Sequence, residues 1–277
     1  MGREPSAYMA AMARIIPFLR SGPTVAVIRL EGVISAGGRG ASLNDAGTQA
    51  LIEKAFTRGK PKAVALLVNS PGGSPAQSSL IGARIRRLAD EKKIPVVAFV
   101  EDVAASGGYW LASAADEIYV DPTSVVGSIG VISSGFGLHD FIARHGIERR
   151  VHTAGRSKSM LDPFRPEKEE DVARLNRLLE QLHESFIAHV RSRRGGKLQE
   201  TDEIFSGEIW VGQQAVDAGL ADGVGHLVPV MKDRFGEKTR FARYARKKPL
   251  LSRFGAAALD GAAAELEWRA QMARFGL

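Results

Sequence analysis

Short apolar runs alternate with stretches of helical spacing along most of this chain. Thr24 to Leu30, Ala63 to Val68, Val96 to Val100 and Glu117 to Val120 read as strands, dominated by the aliphatic residues of a buried parallel sheet. Leu43 to Thr57 and Ser74 to Lys92 read as helices between them. In the second, Ser74 suits the N-cap and Pro75 the first helical position, while Ile81, Ile85, Leu88 and Ala89 form one apolar face. A shorter helix, Tyr109 to Ala115, follows the third strand. Strand, turn and helix repeat as a unit, which predicts an α/β layered fold.

Farther along, Pro166 to Arg194 is the longest helical pattern, with Val172, Leu175, Leu179, Leu182, Phe186 and Val190 at steps of three and four. Glu167, Glu169, Glu170 and Asp171 load its first turns with acid, as the helix dipole favours. The stripe suits either a core face or a subunit-packing face. Gly195-Gly196 closes this helix, Gln213 to Ala218 is a short one closed by Gly219, and Glu265 to Phe275 is a terminal one.

Composition narrows the classes. At 277 residues the chain can bury a full core. It has no cysteine, so disulfides and thiolate chemistry are excluded. No apolar run approaches the roughly 20 residues that cross a bilayer. Residues 1–22 form an N-terminal arm able to make a small amphipathic helix, too broken for a secretory signal. The expectation is a cytoplasmic chain with no transmembrane segment.

The net charge of +7 equals the seven cations Lys238, Arg240, Arg243, Arg246, Lys247, Lys248 and Arg253. Residues 238–253 contain no acid, so the rest of the chain is balanced. The division expected is thus an arm (1–22), a main domain (23–237) and a basic C-terminal extension (238–277). The basic stretch reads as a solvated tail or, because Phe241, Tyr244, Leu250, Leu251 and Phe254 interleave its charges, as a peripheral contact with anionic membrane. Nucleic acid is not expected as a partner.

Candidate chemistry sits in two turns. Asn69-Ser70-Pro71-Gly72-Gly73-Ser74 and Ala104-Ala105-Ser106-Gly107-Gly108-Tyr109 each follow a strand and open into a helix. The first offers glycine N–H groups that can hold a developing negative charge, and the second a serine at a helix start. A serine nucleophile needs a base. None of the six histidines has a recognisable triad context, and the Gly-x-Ser-x-Gly elbow is missing. No zinc-binding spacing occurs, so no metal or other cofactor is expected. Lysine is the other base, with Lys158 in Thr153 to Phe164 as the candidate. Taken singly, each residue also has a plain structural role: a glycine turn, a helix N-cap at Ser106, a loop serine at Ser128, a surface lysine.

In order along the chain, Ser70-Pro71-Gly72-Gly73-Ser74, Ala105-Ser106-Gly107-Gly108-Tyr109, Val126-Gly127-Ser128-Ile129-Gly130-Val131 and Lys158 resemble the bacterial signal peptide peptidase A (protease IV) family, particularly its short SohB-like members. Gly207-Glu208-Ile209-Trp210-Val211-Gly212-Gln213-Gln214-Ala215 and Gly219-Leu220-Ala221-Asp222 extend the likeness. The resemblance implies a serine endopeptidase acting on unfolded or extended peptides, such as signal-peptide remnants. It implies Ser106 as nucleophile, Lys158 as general base, Ser128 orienting the lysine, and an oxyanion hole from Gly72, Gly73 and Gly107. The implied fold is the crotonase/Clp-protease superfold of repeated ββα units with an added helical C-terminal region, assembled as a homo-oligomer. Two alternatives share that fold: a crotonase-type acyl-CoA enzyme and a non-catalytic scaffold.

Overall fold

The computed structural model describes residues 22–37, 42–155, 157–199, 201–245, 266 and 268–277. Strands β1 (Thr24–Glu31), β2 (Ala63–Ser70), β3 (Val96–Ala105) and β8 (Arg240–Tyr244) run parallel in the order β3-β2-β1-β8. The long strand β3 pairs along its first half with β4 (Glu117–Val120) and along its second with β5 (Val125–Gly127). β4 continues to β7 (Gly223–Val224), and β5 takes β6 (Ile209–Val211) antiparallel. Side chains of β1 to β3 are buried on both faces along most of their length, which is why these strands read as continuous apolar runs.

Helices α1 (Asp45–Thr57), α2 (Pro75–Lys92), α3 (Gly107–Ser113) and the C-terminal half of α5 (Glu169–Arg194) pack on one face. Asn44 caps α1 and Ser74 caps α2, with Pro75 leading the latter. The other face is covered by α7 (Leu227–Phe235) through Leu227 and Met231. At the carboxyl end of β3 it is covered by the final helical stretch, residues 268–273, where Trp268, Met272 and Phe275 lie against Val103, Ala105 and Val125. Helices α4 (His139–Arg144) and α6 (Gln213–Asp217) are short.

Two sequence expectations change. β3 runs to Ala105, not Val100, because Glu101 and Asp102 are satisfied within the sheet: Arg29 reaches Glu101 at 2.8 Å and Asn69 donates to Asp102 at 2.6 Å. Part of the 238–253 stretch is a strand, since β8 pairs with β1 from Thr24↔Arg240 to Ile28↔Tyr244. Its cations suit an edge strand, where charge discourages further strand addition. The arm read as an amphipathic helix and residues 246–253 lie outside the described residues.

α5 is anchored at its C-terminal end. Arg194, 2% exposed, pairs with Asp222 at 2.7 Å, and Lys197 reaches the same carboxylate. Higher on the helix, His189 stacks on Trp110 with ring centroids 4.2 Å apart, its Nε2 3.0 Å from Ser113 Oγ. Burial, with a smaller contribution from Arg193, holds the imidazole down at about 4 against an ordinary 6.5, opposed by the Trp110 carbonyl. The unfolded chain therefore takes up a proton between pH 6.5 and about 4 that the folded chain refuses. This contribution is complete above pH 6.5 and is lost on acidification through that window, at a cost of about 3 kcal/mol. Urea unfolding at pH 7 and pH 4.5 should show a smaller loss of stability in His189→Gln than in the parent. An equal loss in both would remove His189 from this role.

Candidate active site

The carboxyl ends of β2 and β3 lie side by side, Ser70 paired with Ala104, so the turns that follow them meet. Gly72 occupies the contact. Its φ is 101°, and an added Cβ would sit 2.7 Å from the Gly107 nitrogen and 2.9 Å from Ser106 Cβ. Glycine is needed at 107 as well, where a Cβ would meet Ser78 Oγ at 2.4 Å. Two parallel bonds hold the first turn: Ile34 N–H donates to Gly72 C=O at 2.8 Å, and Ser74 N–H donates to Ile34 C=O at 2.7 Å. The Gly73 N–H stands outside them.

Ser106 turns the chain from β3 into α3. Its φ of 52° and ψ of −121° are unusual for a residue with a side chain, at a cost on the order of 1–3 kcal/mol. The surroundings over-determine this conformation: Ser106 N–H donates to Gly127 C=O at 2.8 Å, and Gly72 and Gly108 crowd both flanks of the turn. Although Ser106 is the N-cap residue of α3, its hydroxyl makes no capping bond. A purely structural N-cap would use that oxygen. Next to it, the Gly107 N–H lies in the first helical turn, where the helix supplies no acceptor.

β5 brings in the third motif. After Gly127, Ser128 has a φ of 51° and donates its N–H to Glu208 C=O at 2.6 Å. Because β6 pairs antiparallel with β5, Ser206 and Gly207 arrive at the same place. Ser106, Gly107, Gly73 and Ser128 line one cavity of about 630 Å³. Leu182 and Phe186 of α5 and Trp110 supply its apolar side. Trp110 lies one helical turn beyond Ser106, stacks on His189 and meets the Phe186 ring at a tilt of 30°. Gln271, Arg274 and Phe275 close another side.

Sequence reasoning missed Trp110, Phe186 and the 271–275 wall as site residues. The spacing of four from Ser106 could have pointed to Trp110, since such residues share a helix face. Phe186 was legible only as part of an apolar stripe.

Lys158 is absent from the cavity. It is exposed, on a segment between residues 131 and 168 that contributes little buried surface. Among the described residues lining the cavity there is no lysine, histidine, aspartate or glutamate, and Arg274 is the one ionisable side chain. Nearby in sequence, Asp162 accepts from Arg149 at 3.3 Å and from the Phe164 N–H at 3.0 Å, with Arg149 over the Phe164 ring. That network orders the turn after Lys158. The same segment exposes Ile132, Phe136, Phe141 and Ile147 by 57–85%, and the facing half of α5 exposes Leu178 and Leu182 by 46% and 42%.

The family model for peptidase family S49 matches residues 89–234. The Na(+)/H(+) antiporter NhaA of Brucella melitensis is 46% identical over 246 residues, which cover 87% of this chain and 33% of that protein. Protease 4 of Salmonella typhi is 33% identical over 209 residues, 74% of this chain and 33% of that protein. This chain thus spans a third of the length of both curated relatives. A solved structure, that of a mutant of the 1510-N membrane-bound stomatin-specific protease, superposes with a TM-score of 0.51 over 82% of this chain and all of that one, at 15% identity. That likeness shows the fold: mixed α/β with a mostly parallel sheet, of the Clp-protease and crotonase kind. Among the described residues no helix is long and apolar enough to cross a membrane.

Proposed function

Since the chain belongs to peptidase family S49, a family of serine proteases, we propose that it is an endopeptidase whose nucleophile is Ser106 and whose general base is Lys158 of a neighbouring copy. The observation that carries this reading is a cavity with a strained, uncapped serine and no base among its described lining. A lysine-bearing segment with unpartnered apolar side chains is the natural complement. Docking of that segment over the cavity of the next copy would bury both apolar surfaces. It would also take Lys158 out of water, the condition under which lysines serve as bases.

In the first step Lys158 Nζ accepts the proton of Ser106 Oγ as the oxygen attacks the scissile carbonyl carbon. The tetrahedral oxyanion is held by the N–H groups of Gly73 and Gly107, since the Gly72 N–H, read from sequence as a further donor, is given to Ser70 Oγ at 3.2 Å; a single donor contributes about 10²–10³ in rate. Collapse breaks the C–N bond, the leaving amine takes the proton from the lysine ammonium, and the acyl group stays on Ser106 as an ester. Water then attacks that ester with Lys158 again as base, releasing the acid and the free serine. The apolar side of the cavity, with Phe186 and Trp110, favours extended chains over folded ones because a folded protein cannot present its backbone there.

The antiporter's named activity belongs to a protein of which this chain spans 33%, and the protease family model matches residues 89–234 of this chain. Labelling by a serine-directed phosphonate tests the proposal: mass spectrometry should place a single adduct on Ser106. Turnover of an acyl-CoA thioester without labelling would favour the crotonase-type alternative, and neither reaction would favour the scaffold.

Ser128, which lines the same cavity as Ser106, would hold the incoming ammonium by a hydrogen bond from its hydroxyl. Ser128→Ala should lower kcat about 10- to 100-fold and leave KM little changed, since a positioning bond acts on the reacting geometry. Full activity in that variant would make Ser128 a bystander.

A further inference from the structure

The end of the sheet opposite the catalytic cavity is strongly cationic. β1, β2, β3 and β8 all begin there, in register through Thr24↔Arg240, Val25↔Ala63 and Val64↔Val96. α1 and α2 run back to the same end and finish at Arg58 and Lys93. Arg58, Lys60, Lys62, Lys92, Lys93 and Lys238 are exposed there, and none has an acidic partner among the described residues. Lys60, Lys62, Lys92 and Lys93 surround a depression of about 540 Å³ floored by Phe56, Pro61 and Ile94. The acids nearby are engaged: Glu53 with Arg84, Asp90 with Arg86, Glu91 with Arg87, Glu117 with Arg234 and Glu237 with Lys232. Asp233, on α7, is the exception.

Cations at helix C-termini have an ordinary purpose, which is to offset the helix dipole. Two helix ends amount to about one negative charge, against six cations. Most of the positive charge is therefore unaccounted for by the fold itself. We propose that this end of the sheet is a docking surface for the anionic headgroups of a phospholipid bilayer.

Three observations choose a bilayer over other polyanions. Four strand starts and two helix ends finish at one level, three strand spacings or about 15 Å across, which suits a flat charged surface better than a tracked backbone. Phe56, the aromatic at the floor, is buried at 2% exposure and offers no platform for stacking bases. The chain enters the domain at this end, where Gly22 lies against the Lys238 carbonyl. The sequence before Gly22 combines Arg3, Arg14 and Arg20 with Ile15, Ile16, Phe18 and Leu19, the mixture found in interfacial segments. A protein held this way turns the Ser106 cavity towards water, so its peptides would come from the aqueous side. The docking itself does not depend on the peptidase reading.

Co-sedimentation of the full chain with vesicles tests this. The parent should pellet with phosphatidylglycerol-containing vesicles at low salt, lose binding at high salt and ignore pure phosphatidylcholine. Lys60→Glu/Lys62→Glu/Lys92→Glu/Lys93→Glu should weaken vesicle binding about tenfold or more, and Arg246→Glu/Lys247→Glu/Lys248→Glu should not. Should the glutamate variant fail to melt cooperatively, the same four positions as glutamine are expected to show a smaller loss in the same direction. Unchanged binding in the four-lysine variants would overturn the proposal, as would loss confined to the 246–248 variant or no pelleting of the parent. Tighter binding to RNA or duplex DNA than to vesicles in the same buffer would assign the surface to nucleic acid and overturn it equally.

Discussion

Ser106→Ala is expected to lower kcat by about 10⁴- to 10⁶-fold, the range seen when a serine nucleophile is removed and only oxyanion binding remains. The fold should survive the change. The Ser106 hydroxyl makes no capping bond, so alanine leaves no donor or acceptor unpaired in α3. Unfolding free energies of parent and variant from urea titration should agree within about 0.5 kcal/mol. Ser106→Gly adds a second signature: relief of a φ of 52° should stabilise the protein by up to about 1 kcal/mol while abolishing turnover. A protein that gains stability as it loses activity at one position stores strain there for function. Substantial peptidase activity in either variant would remove Ser106 from the mechanism.

Lys158→Ala should lower turnover by a similar factor while the single-chain fold is kept, because the side chain is exposed there and makes no core contact. Lys158→Arg should be as inactive as the alanine variant, since a guanidinium stays protonated and cannot accept the serine proton. Activity of the arginine variant within tenfold of the parent would show that position 158 supplies only positive charge.

Much of this was legible in the sequence, for identifiable reasons. Ser74 and Pro75 mark the start of α2, and the helix begins there because side chain and ring each satisfy the local geometry. The glycines at 72 and 107 are legible as turns, but their mutual contact is not, because it depends on the register Ser70↔Ala104 between strands. The same limit hid the 271–275 wall, which reaches the cavity only through packing on Val103 and Val125. β8 reads as a tail because a charged edge strand carries little apolar alternation. The role of Lys158 rests on resemblance. What sequence order could not convey is that the residue lies away from the serine within one chain.

That separation gives the account its most direct test. Ser106→Ala and Lys158→Ala subunits, each inactive alone, should regain activity when co-expressed and purified as mixed oligomers. If each site takes its serine from one copy and its lysine from the next, random mixing at equal amounts makes about a quarter of the sites intact. Recovery of roughly a quarter of parental kcat is the predicted result. Mixed oligomers as inactive as either variant alone would contradict it, and would place both residues of the pair in a single chain.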